Sequence, residues 1–266
     1  MDIRPPTVIS FGGGVNSYGL VLGLIERNAP PPTHILFGDT GGELPHTYEG
    51  MARFSEYLTE HGWPAVRVLR RARRDGRWLP LEDDCLEKAT LPAIAFGYKT
   101  CSQKYKVEPQ DKFLNSDPQF KAWWKSGQRA VKVIGYDAGE VRRARFGHDN
   151  KYDLKYPLIE WGWTRADCVA AANRHGFNPG KSSCFFCPHM RKNEIDDLAQ
   201  QHPDLLARAL YMESNAKLTK IKGLGRRFAW RDYVAGQPTP DRTAGELDEP
   251  CGCWDGSPNT GDLVNG

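Results

Sequence analysis

Short apolar runs alternate with amphipathic stretches along the first two-thirds of the chain. Runs typical of buried strands occupy residues 8–11, 34–37, 65–69 and 130–134. Residues 17–26 and 46–61 instead carry apolar side chains at helical spacing. Strand, turn and helix repeated in this way predict an α/β fold, a parallel sheet flanked by helices. Because such sheets bind ligands at the carboxyl ends of their strands, we expect the chemistry in the turns after Phe11, Phe37 and Ile134.

The last third of the chain predicts helices followed by a tail. One helix is expected from Thr164, its N-cap, to a stop at Gly176, and one or two more between Glu194 and Met212. Residues 70–100 show no clear period and predict a long surface excursion. We expect a sheet domain at residues 1–190 and a helical extension at residues 191–235. Residues 236–266, which are rich in Pro, Gly, Asp and Thr, predict a flexible tail.

Composition places the chain among globular proteins. Of its 266 residues, 39% are hydrophobic and 26% charged, enough to bury a core. No apolar run approaches the roughly 18 residues of a membrane helix, and nothing near residue 1 resembles a signal peptide, so we expect a cytoplasmic protein without membrane contact. The seven cysteines, an odd number, argue against a disulfide framework and favour thiols that bind metal or react. The net charge of +3 permits contact with nucleic acid without arguing for it.

A glycine-rich turn joins the first predicted strand to the first predicted helix. Residues 10–17 read Ser-Phe-Gly-Gly-Gly-Val-Asn-Ser. Three glycines allow positive φ and a close approach of the backbone, and the amides of a helix N-terminus bind anions. Ser10, Asn16 and Ser17 add side-chain donors. A plain tight turn is the alternative, and the Gly-Lys-Ser/Thr of a Walker loop is absent.

Five segments, in order, resemble motifs of the phosphoadenosine phosphosulfate (PAPS) reductase-like family, within the PP-loop or adenine nucleotide alpha-hydrolase superfamily. The glycine turn resembles the PP-loop, and Asp-Thr-Gly-Gly-Glu-Leu-Pro-His-Thr-Tyr at residues 39–48 resembles the motif after the second strand. The others are Lys-Val-Glu-Pro at 106–109, Gly-Tyr-Asp-Ala-Gly-Glu-Val-Arg-Arg at 135–143 and Tyr-Pro-Leu-Ile-Glu-Trp at 156–161. The ordered set is far more specific than any one motif.

The resemblance implies a Rossmann-like PP-loop fold that binds an adenine nucleotide: PAPS, adenosine phosphosulfate (APS) or ATP. The PP-loop would hold the phosphate or sulfate, the turn after the second strand would lie near the adenosine, and two arginines after the fourth strand would reach the phosphates. The implied nucleotide-binding residues are Ser10, Gly12, Gly13, Gly14, Asn16, Ser17, Asp39, Thr40, Gly41, Gly135, Arg142 and Arg143. Guanidinium groups suit phosphate oxygens, although a solvated helix face is the alternative for both arginines.

Two positions depart from the PP-loop pattern. Val15 stands where lysine is common, and Asn16 stands where the pattern has aspartate. Without the lysine, the loop offers less positive charge to a pyrophosphate leaving group, which weakens the case for ATP cleavage. In PAPS reductases that lysine is not universal, so the departure is more tolerable there.

The cysteines predict a metal site. Cys184 and Cys187 form a Cys-x-x-Cys pair, which can bind one metal ion or two corners of a cluster, with a redox pair as the competing interpretation. Some members of the family hold a [4Fe-4S] cluster through a mid-domain cysteine and a late Cys-x-x-Cys, and the matching mid-domain residue is Cys101. Cys168 is the first choice for a fourth ligand, against the alternative of a small core residue. Zinc is the alternative metal.

The C-terminal segment offers a candidate nucleophile. Its Glu-Pro-Cys-Gly-Cys at residues 249–253 faintly resembles the catalytic Glu-Cys-Gly element of sulfonucleotide reductases, whose mobile tail brings a thiolate to the sulfonyl sulfur. Cys251 and Cys253 are therefore the candidate catalytic residues, with a cluster ligand or a plain tail as alternatives.

We expect an adenine-nucleotide-binding enzyme that reduces a sulfonucleotide with a thiol reductant. One alternative is ATP-dependent sulfur transfer to nucleic acid or a small molecule, with a sulfur-donor protein and an iron–sulfur cluster. Another is a non-catalytic nucleotide- or nucleic-acid-binding module with a structural metal. Nucleic acid is a candidate partner because arginines cluster between Arg70 and Trp78, and Trp123 and Trp124 lie between lysines. A solvated excursion with packed tryptophans is the competing interpretation.

Overall fold

In the computed structural model, which describes residues 4–98 and 100–240, a five-stranded sheet forms the centre of the protein. The strands are β1 (Thr7–Ser10), β2 (His34–Asp39), β3 (Val66–Arg70), β4 (Ala130–Ile134) and β5 (Tyr152–Lys155). They lie in the order β3-β2-β1-β4-β5, and every neighbouring pair is parallel. The predicted α/β fold with a parallel sheet is confirmed.

Helices surround the sheet and continue beyond it. They are α1 (Val15–Glu26), α2 (Pro45–Glu60), α3 (Leu81–Glu87), α4 (Thr100–Ser102), α5 (Glu108–Ser116), α6 (Pro118–Lys125), α7 (Pro157–Glu160), α8 (Arg165–Arg174), α9 (Lys192–Gln201), α10 (Pro203–Asn215) and α11 (Trp230–Val234). A π-helical turn (Gln103–Val107) joins α4 to α5, and 3-10 turns span Ala93–Phe96 and Ala138–Arg143. No helix in the described part of the chain is long and apolar enough to cross a membrane.

Alternating side chains of the central strands build two core layers. Ile9, Ile35 and Phe37 are buried in one layer with α1, α2 and α8. Val8 and Leu36, which point to the opposite face, are buried in the other layer with α5 and α6. Both faces of the sheet are therefore covered, as parallel strands require.

A third hydrophobic cluster lies outside these two layers. It joins α3 and the 3-10 turn at Ala93–Phe96 to α9, α10 and α11. The prediction of a surface excursion at residues 70–100 is wrong in this part, because Leu81 and Ile94 are buried in the cluster. The predicted helical extension contains α9, α10 and α11, and its boundaries as a domain stay a prediction.

The predicted cap of α8 is confirmed. Thr164 Oγ1 accepts a hydrogen bond from the Asp167 amide at 3.4 Å, and the Asp167 carboxylate accepts one from the Thr164 amide at 2.8 Å. Gly176, with φ at +74°, follows the end of the helix. The pattern of apolar positions does not predict β5, α5 or α6, each of which has fewer than ten residues.

Candidate functional site

The strand order reverses between β1 and β4, and parallel sheets bind ligands at such a switch point. The turn from β1 into α1 is left-handed at Gly13, where φ is +74°. A Cβ there would lie 3.1 Å from Thr47 Cγ2 and 3.3 Å from Phe37 Cε2, so the turn requires glycine. Ser17 Oγ braces the turn by accepting a hydrogen bond from the Gly12 amide at 2.8 Å.

The N-terminus of α1 is arranged to receive an anion. Among the described residues no side chain caps it, and its first turn carries no acidic residue. The first amides of a helix have no intrahelical partner, and the helix dipole adds partial positive charge. An uncapped helix N-terminus of this kind could receive an anion, and the anion-binding loop stays a prediction.

The turn after β4 contacts the start of α1 across the switch point. Asn16 Nδ2 donates hydrogen bonds to Asp137 Oδ2 at 2.9 Å and to Glu140 Oε2 at 3.0 Å. Gly135 permits the close approach, because its Cβ would lie 3.3 Å from the Asn16 carbonyl oxygen. The structure thus brings together the two turns that the motifs assign to the phosphates.

The two arginines of this turn differ in their availability. Arg143 pairs with Glu140, and its guanidinium lies 4.4 Å from the centre of the Tyr136 ring. Arg142 is exposed and forms no ion pair with any residue that the structure describes. Arg142 is therefore the better placed of the two to meet an anionic ligand, whereas Arg143 holds the turn.

Asp39 shapes the turn after β2. Its buried carboxylate accepts hydrogen bonds from the Gly41 amide and the Tyr48 hydroxyl, both at 2.8 Å, and from Arg70 Nε at 2.9 Å. Gly41 has φ at +78°, and a Cβ there would lie 2.8 Å from the Trp78 ring. Asp39 therefore acts on a ligand by ordering the turn that would face it.

The Cys-x-x-Cys segment packs directly on the turns after β1 and β2. Cys184 Sγ lies within hydrogen-bond distance, 3.1 Å, of Thr40 Oγ1. Ser182 Oγ donates to the Gly12 carbonyl at 2.5 Å, and the Phe185 amide donates to the Gly42 carbonyl at 2.7 Å. The predicted anion loop and the predicted thiols therefore lie side by side.

Cys187 lies close enough to both Cys184 and Cys101 for the thiols to interact electrostatically, as pairs. Burial raises the pKa of all three thiols, that of Cys187 to about 11. As they stand, the thiols are protonated near neutral pH, and a bound metal ion is one agent that would deprotonate them.

A buried ion pair lies beside the thiols. Lys106 Nζ donates to Glu43 Oε1 at 3.0 Å. Burial lowers the pKa of Lys106, but the Glu43 carboxylate outweighs this effect and holds it above its ordinary value. Lys106 therefore keeps a positive charge next to the cysteines, fixed in place by its partner.

The structure does not bring Cys168 to the other three candidate ligands. It lies in the interface of α1 and α8, where a Cβ on Gly19 would come within 2.5 Å of Cys168 Cβ. Its charged neighbours are Asp137, Asp167, Arg165 and Glu140. Two helices this close need a small side chain, which accounts for a cysteine here without a metal.

The predicted metal site is not assembled in the structure. The thiols suit a metal by their chemistry, but within residues 4–98 and 100–240 no group of three or more His, Cys, Asp or Glu side chains is arranged to hold an ion. The cluster and the zinc alternative stay predictions. Cys251 and Cys253, the candidate nucleophiles, lie outside the described residues.

Buried polar atoms without partners gather around the same turns. Ten buried side-chain polar atoms have no hydrogen-bond partner among the described residues, and five of them lie on these turns or on the segments against them: Ser10 Oγ, Asn16 Oδ1, Glu43 Oε2, Thr47 Oγ1 and Arg143 Nη2. The other five belong to Arg71, Tyr105, Gln110, His189 and Trp230. An unpaired buried polar group costs about 1–3 kcal/mol, so folded proteins rarely keep several together. Their concentration at one edge of the sheet is typical of a site that a polar ligand completes.

The solved structures that are similar to this chain include two enzymes. One is a PAPS reductase from Candida auris in complex with phosphate, with 16% identity and a TM-score of 0.44 over 66% of this chain and 76% of that chain. The other is the U34-tRNA thiolase NcsA from Methanococcus maripaludis with its [4Fe-4S] cluster, with 13% identity and a TM-score of 0.42 over 92% and 80%. No family model matches the chain, and no curated protein matches it significantly.

By its sequence motifs, the chain resembles the PAPS reductase-like family. Likenesses this distant leave the function to be inferred from the residues themselves.

The motif comparison missed two residues of the site, Ser182 and Thr47. Ser182 stands two positions before Cys184 and supports the Gly12 carbonyl. Thr47 lies in the motif after β2 and would touch a Cβ at Gly13. Their positions in or beside recognised motifs are the signal that identifies them.

Four of the five arginines at residues 70–77, which suggested contact with nucleic acid, form ion pairs with carboxylates. The pairs are Arg70–Asp39, Arg71–Glu108, Arg73–Glu87 and Arg77–Asp75. The second candidate, Trp123 and Trp124, packs on the core layer of α5 and α6, and both indole N–H groups donate to backbone carbonyls. The competing interpretation, a solvated excursion and packed tryptophans, describes both segments better.

Proposed function

We propose that the protein is an adenine-nucleotide-binding enzyme of sulfur chemistry, and that it reduces a sulfonucleotide. The observation that carries the proposal is the contact between glycine loop and thiol segment, in which Ser182 holds Gly12 and Cys184 lies 3.1 Å from Thr40. An anion bound by the loop would therefore lie beside the thiols. The unpaired buried atoms around the loop support a polar ligand at this place.

The binding roles follow from what each group offers. Amides of the loop and of the first turn of α1 would hold the sulfate or phosphate, and Gly13 would let the backbone approach it. Arg142 would neutralise the charge, a contact worth about 1.5–3 kcal/mol. Val15 supplies no cation for a departing pyrophosphate, which favours a sulfonucleotide over ATP as the substrate.

Sulfonucleotide reduction needs one nucleophilic thiolate and one further thiol. The thiolate attacks the sulfonyl sulfur, the bond from sulfur to the bridging oxygen breaks, and the nucleotide leaves with the electron pair. A reducing thiol then attacks the cysteine sulfur of the S-sulfocysteine, forms a disulfide and releases sulfite. By resemblance the nucleophile is Cys251 or Cys253, and the raised pKa of Cys184 and Cys187 makes them poorer candidates for the attack.

ATP-dependent sulfur transfer is the second candidate. The observation that favours it is the position of Cys184 against the turn after β2, with Lys106 close to both Cys184 and Cys101 and with Cys187 close to Cys184. Three neighbouring thiols suit the handling of a sulfur atom or an iron–sulfur cluster. ATP on the loop would then activate an oxygen of the acceptor, which sulfur replaces.

Turnover assays on anaerobically purified full-length protein separate the candidates. Sulfite release from labelled PAPS or APS with a dithiol reductant would support reduction. Release of AMP and pyrophosphate from ATP, dependent on sulfide and an acceptor, would support sulfur transfer, and absence of both would contradict the proposal. Cys184→Ser should lower the observed activity roughly tenfold or more, because the thiol lies at the loop. Cys168→Ala is the matched control, since that cysteine lies in the α1–α8 interface.

A further inference from the structure

A second cavity lies apart from the glycine loop. Its volume is about 790 Å³, and it opens between the segment from α3 to the π-helical turn and the loop that precedes α11. Volumes of this order are typical of sites for molecules the size of a nucleotide. Cys101 lines the cavity, and Cys187 lies close to Cys101.

The charged residues around this cavity are mostly cationic. Among the lining residues that the structure describes, one is acidic, Asp84, and it pairs with Lys88. The cationic lining residues are Lys88, Lys104, Lys220, Arg226 and Arg227. A concave surface on which cations outnumber carboxylates attracts anions.

Residues 217–227, here named the basic loop, extend this charge beyond the cavity. Their sequence, Lys-Leu-Thr-Lys-Ile-Lys-Gly-Leu-Gly-Arg-Arg, holds five cations and no acidic residue. Lys217, Lys220, Lys222 and Arg226 form no ion pair and no side-chain hydrogen bond with any described residue. The arginines of residues 70–77 behave differently, since four of them are paired with carboxylates. A row of unpaired cations suits a ligand with several phosphates.

Backbone contacts hold the basic loop in place. The Lys217 amide donates to the Ala89 carbonyl at 2.8 Å. The buried Glu213 carboxylate accepts hydrogen bonds from the amides of Leu224, at 2.7 Å, and Trp230, at 2.9 Å. The cations are therefore presented from an ordered backbone, which lowers the entropy cost of binding.

The cavity also offers a stacking surface. Tyr98 lines it and is 67% exposed, although large apolar rings are usually covered. Aromatic rings beside a basic track bind the bases of single strands, since every base has a face that can stack. A base paired within a duplex cannot enter such a cavity unless it flips out.

We infer that the cavity receives one nucleotide of a single-stranded nucleic acid, with the flanking phosphates on the basic loop. The base would stack on Tyr98, and the strand would pass Lys220 and Arg226. The inference goes beyond the proposed function and does not depend on it, because the glycine loop takes no part in this binding.

Fluorescence anisotropy with labelled single-stranded RNA and DNA of about ten nucleotides tests the inference. The variant Lys220→Ala/Lys222→Ala/Arg226→Ala should bind about tenfold more weakly or worse. Its slope of log K against log salt should fall by about 2, since each lost phosphate contact on a single strand removes about 0.7. The matched control, Arg73→Ala/Arg74→Ala/Arg77→Ala, removes the same charge from the arginine run and should change affinity less than twofold.

Tyr98→Ala should also weaken binding about tenfold with the salt slope unchanged, because stacking involves no counterion. Its side chain is largely exposed, so folding should survive, and circular dichroism checks this for every variant. Equal losses in both triple variants, full affinity in Tyr98→Ala, equal binding of a duplex, or equal competition by free AMP would each overturn the inference. Gly13→Ala should bind the strand normally, which separates this site from failure of the proposed nucleotide site.

Discussion

At the scale of single residues, the two departures from the PP-loop pattern have different structural reasons. Val15 is 5% exposed and packs in the core layer of α1 and α8, so a lysine there would have to leave the core. Asn16 faces Asp137 and Glu140, to which its amide donates both hydrogen bonds. An aspartate would have no proton to offer them. The asparagine therefore matches the acidic turn after β4.

Asn16→Asp should destabilise the protein by about 2 kcal/mol at neutral pH, because it replaces two hydrogen bonds to carboxylates with repulsion. Urea unfolding at neutral pH measures the loss. Asn28→Asp is the control, since Asn28 is exposed and the change should stay within about 0.5 kcal/mol. Equal effects of the two substitutions would contradict the role of the acidic turn.

Gly13→Ala should abolish nucleotide binding while the protein still folds. The left-handed φ of +74° would cost about 1–2 kcal/mol with any side chain, and the Cβ would press on Thr47 and Phe37. Gly127→Ala has the same backbone strain, with φ at +80°, but no atom within 4 Å of its Cβ. Isothermal titration with PAPS and ATP should therefore show loss in the first variant and wild-type affinity in the second. Loss in both would mean that strain alone, rather than the loop, controls binding.

At the scale of elements, the periodicity of apolar residues predicted the strands and helices whose buried side chains recur at regular spacing. It predicted β1 to β4, α1 and α2, whose apolar positions recur at strand or helix spacing. It did not predict α5, which follows the π-helical turn at Gln103–Val107. That turn packs closely against β2. A Cβ on Gly38 of β2 would come within 2.5 Å of Lys106 Cα in that turn. Contacts this distant in sequence leave no periodic signal.

The candidate site was predictable to the extent that motifs mark it. The motifs assigned the glycine loop and the turns after β2 and β4 to a nucleotide site, and the Cys-x-x-Cys pair to a separate metal site. The structure brings these segments into contact, which the motifs did not predict. Spacing along the chain also suggested Cys168 as a fourth ligand, but its helix faces α1 instead. The neighbour that a given helix face meets depends on how the helix packs, and this packing cannot be derived from the number of residues between two cysteines.

Asp117→Ala should cost about 1 kcal/mol, because Asp117 caps α6. Its Oδ1 accepts hydrogen bonds from the Gln119 and Phe120 amides at 2.9 and 3.1 Å, and its Oδ2 lies 2.9 Å from His34 Nε2. Burial raises the pKa of Asp117, but the bonds from His34 and the amides outweigh it and hold the pKa below the ordinary 3.8.

The contribution of Asp117 is thus complete above its unfolded pKa and is lost as the pH falls through the lower folded value. Urea unfolding should show that wild type and Asp117→Ala differ in their free energy of unfolding at pH 7, and that this difference is smaller near pH 3. A difference in the free energy of unfolding that stays constant between pH 7 and pH 3 would show that the charge of the Asp117 carboxylate does not contribute to stability.

At the scale of the whole molecule, the third hydrophobic cluster holds the thiol segment against the sheet. Phe185 is buried in this cluster, while its amide donates to Gly42 in the turn after β2. The same cluster carries α10, whose Arg208 pairs with Glu82 of α3. The helices beyond residue 190 therefore support the position of Cys184, although they lie outside the segment that the motifs cover.

A chain ended after residue 190 should not fold as a stable unit, although the motifs end there. It would expose the surfaces of Leu81, Ile94 and Phe185 that α9, α10 and α11 cover in the full chain. Burial of each such side chain is worth about 1.5–3 kcal/mol, and a domain is stable by only about 5–15 kcal/mol. Circular dichroism should show one cooperative thermal transition for the full chain and a broad or absent one for the shortened chain.

Thiol titration under native conditions supplies a second readout on the same proteins. If the third cluster holds the thiol segment in place, Cys184 should react with an aromatic disulfide reagent much faster in the shortened chain, because both its burial and its contact with Thr40 would be lost. A cooperative transition at the temperature of the full chain, with Cys184 still protected, would instead make residues 191–235 an independent appendage. The sheet alone would then be sufficient to place the thiols at the glycine loop.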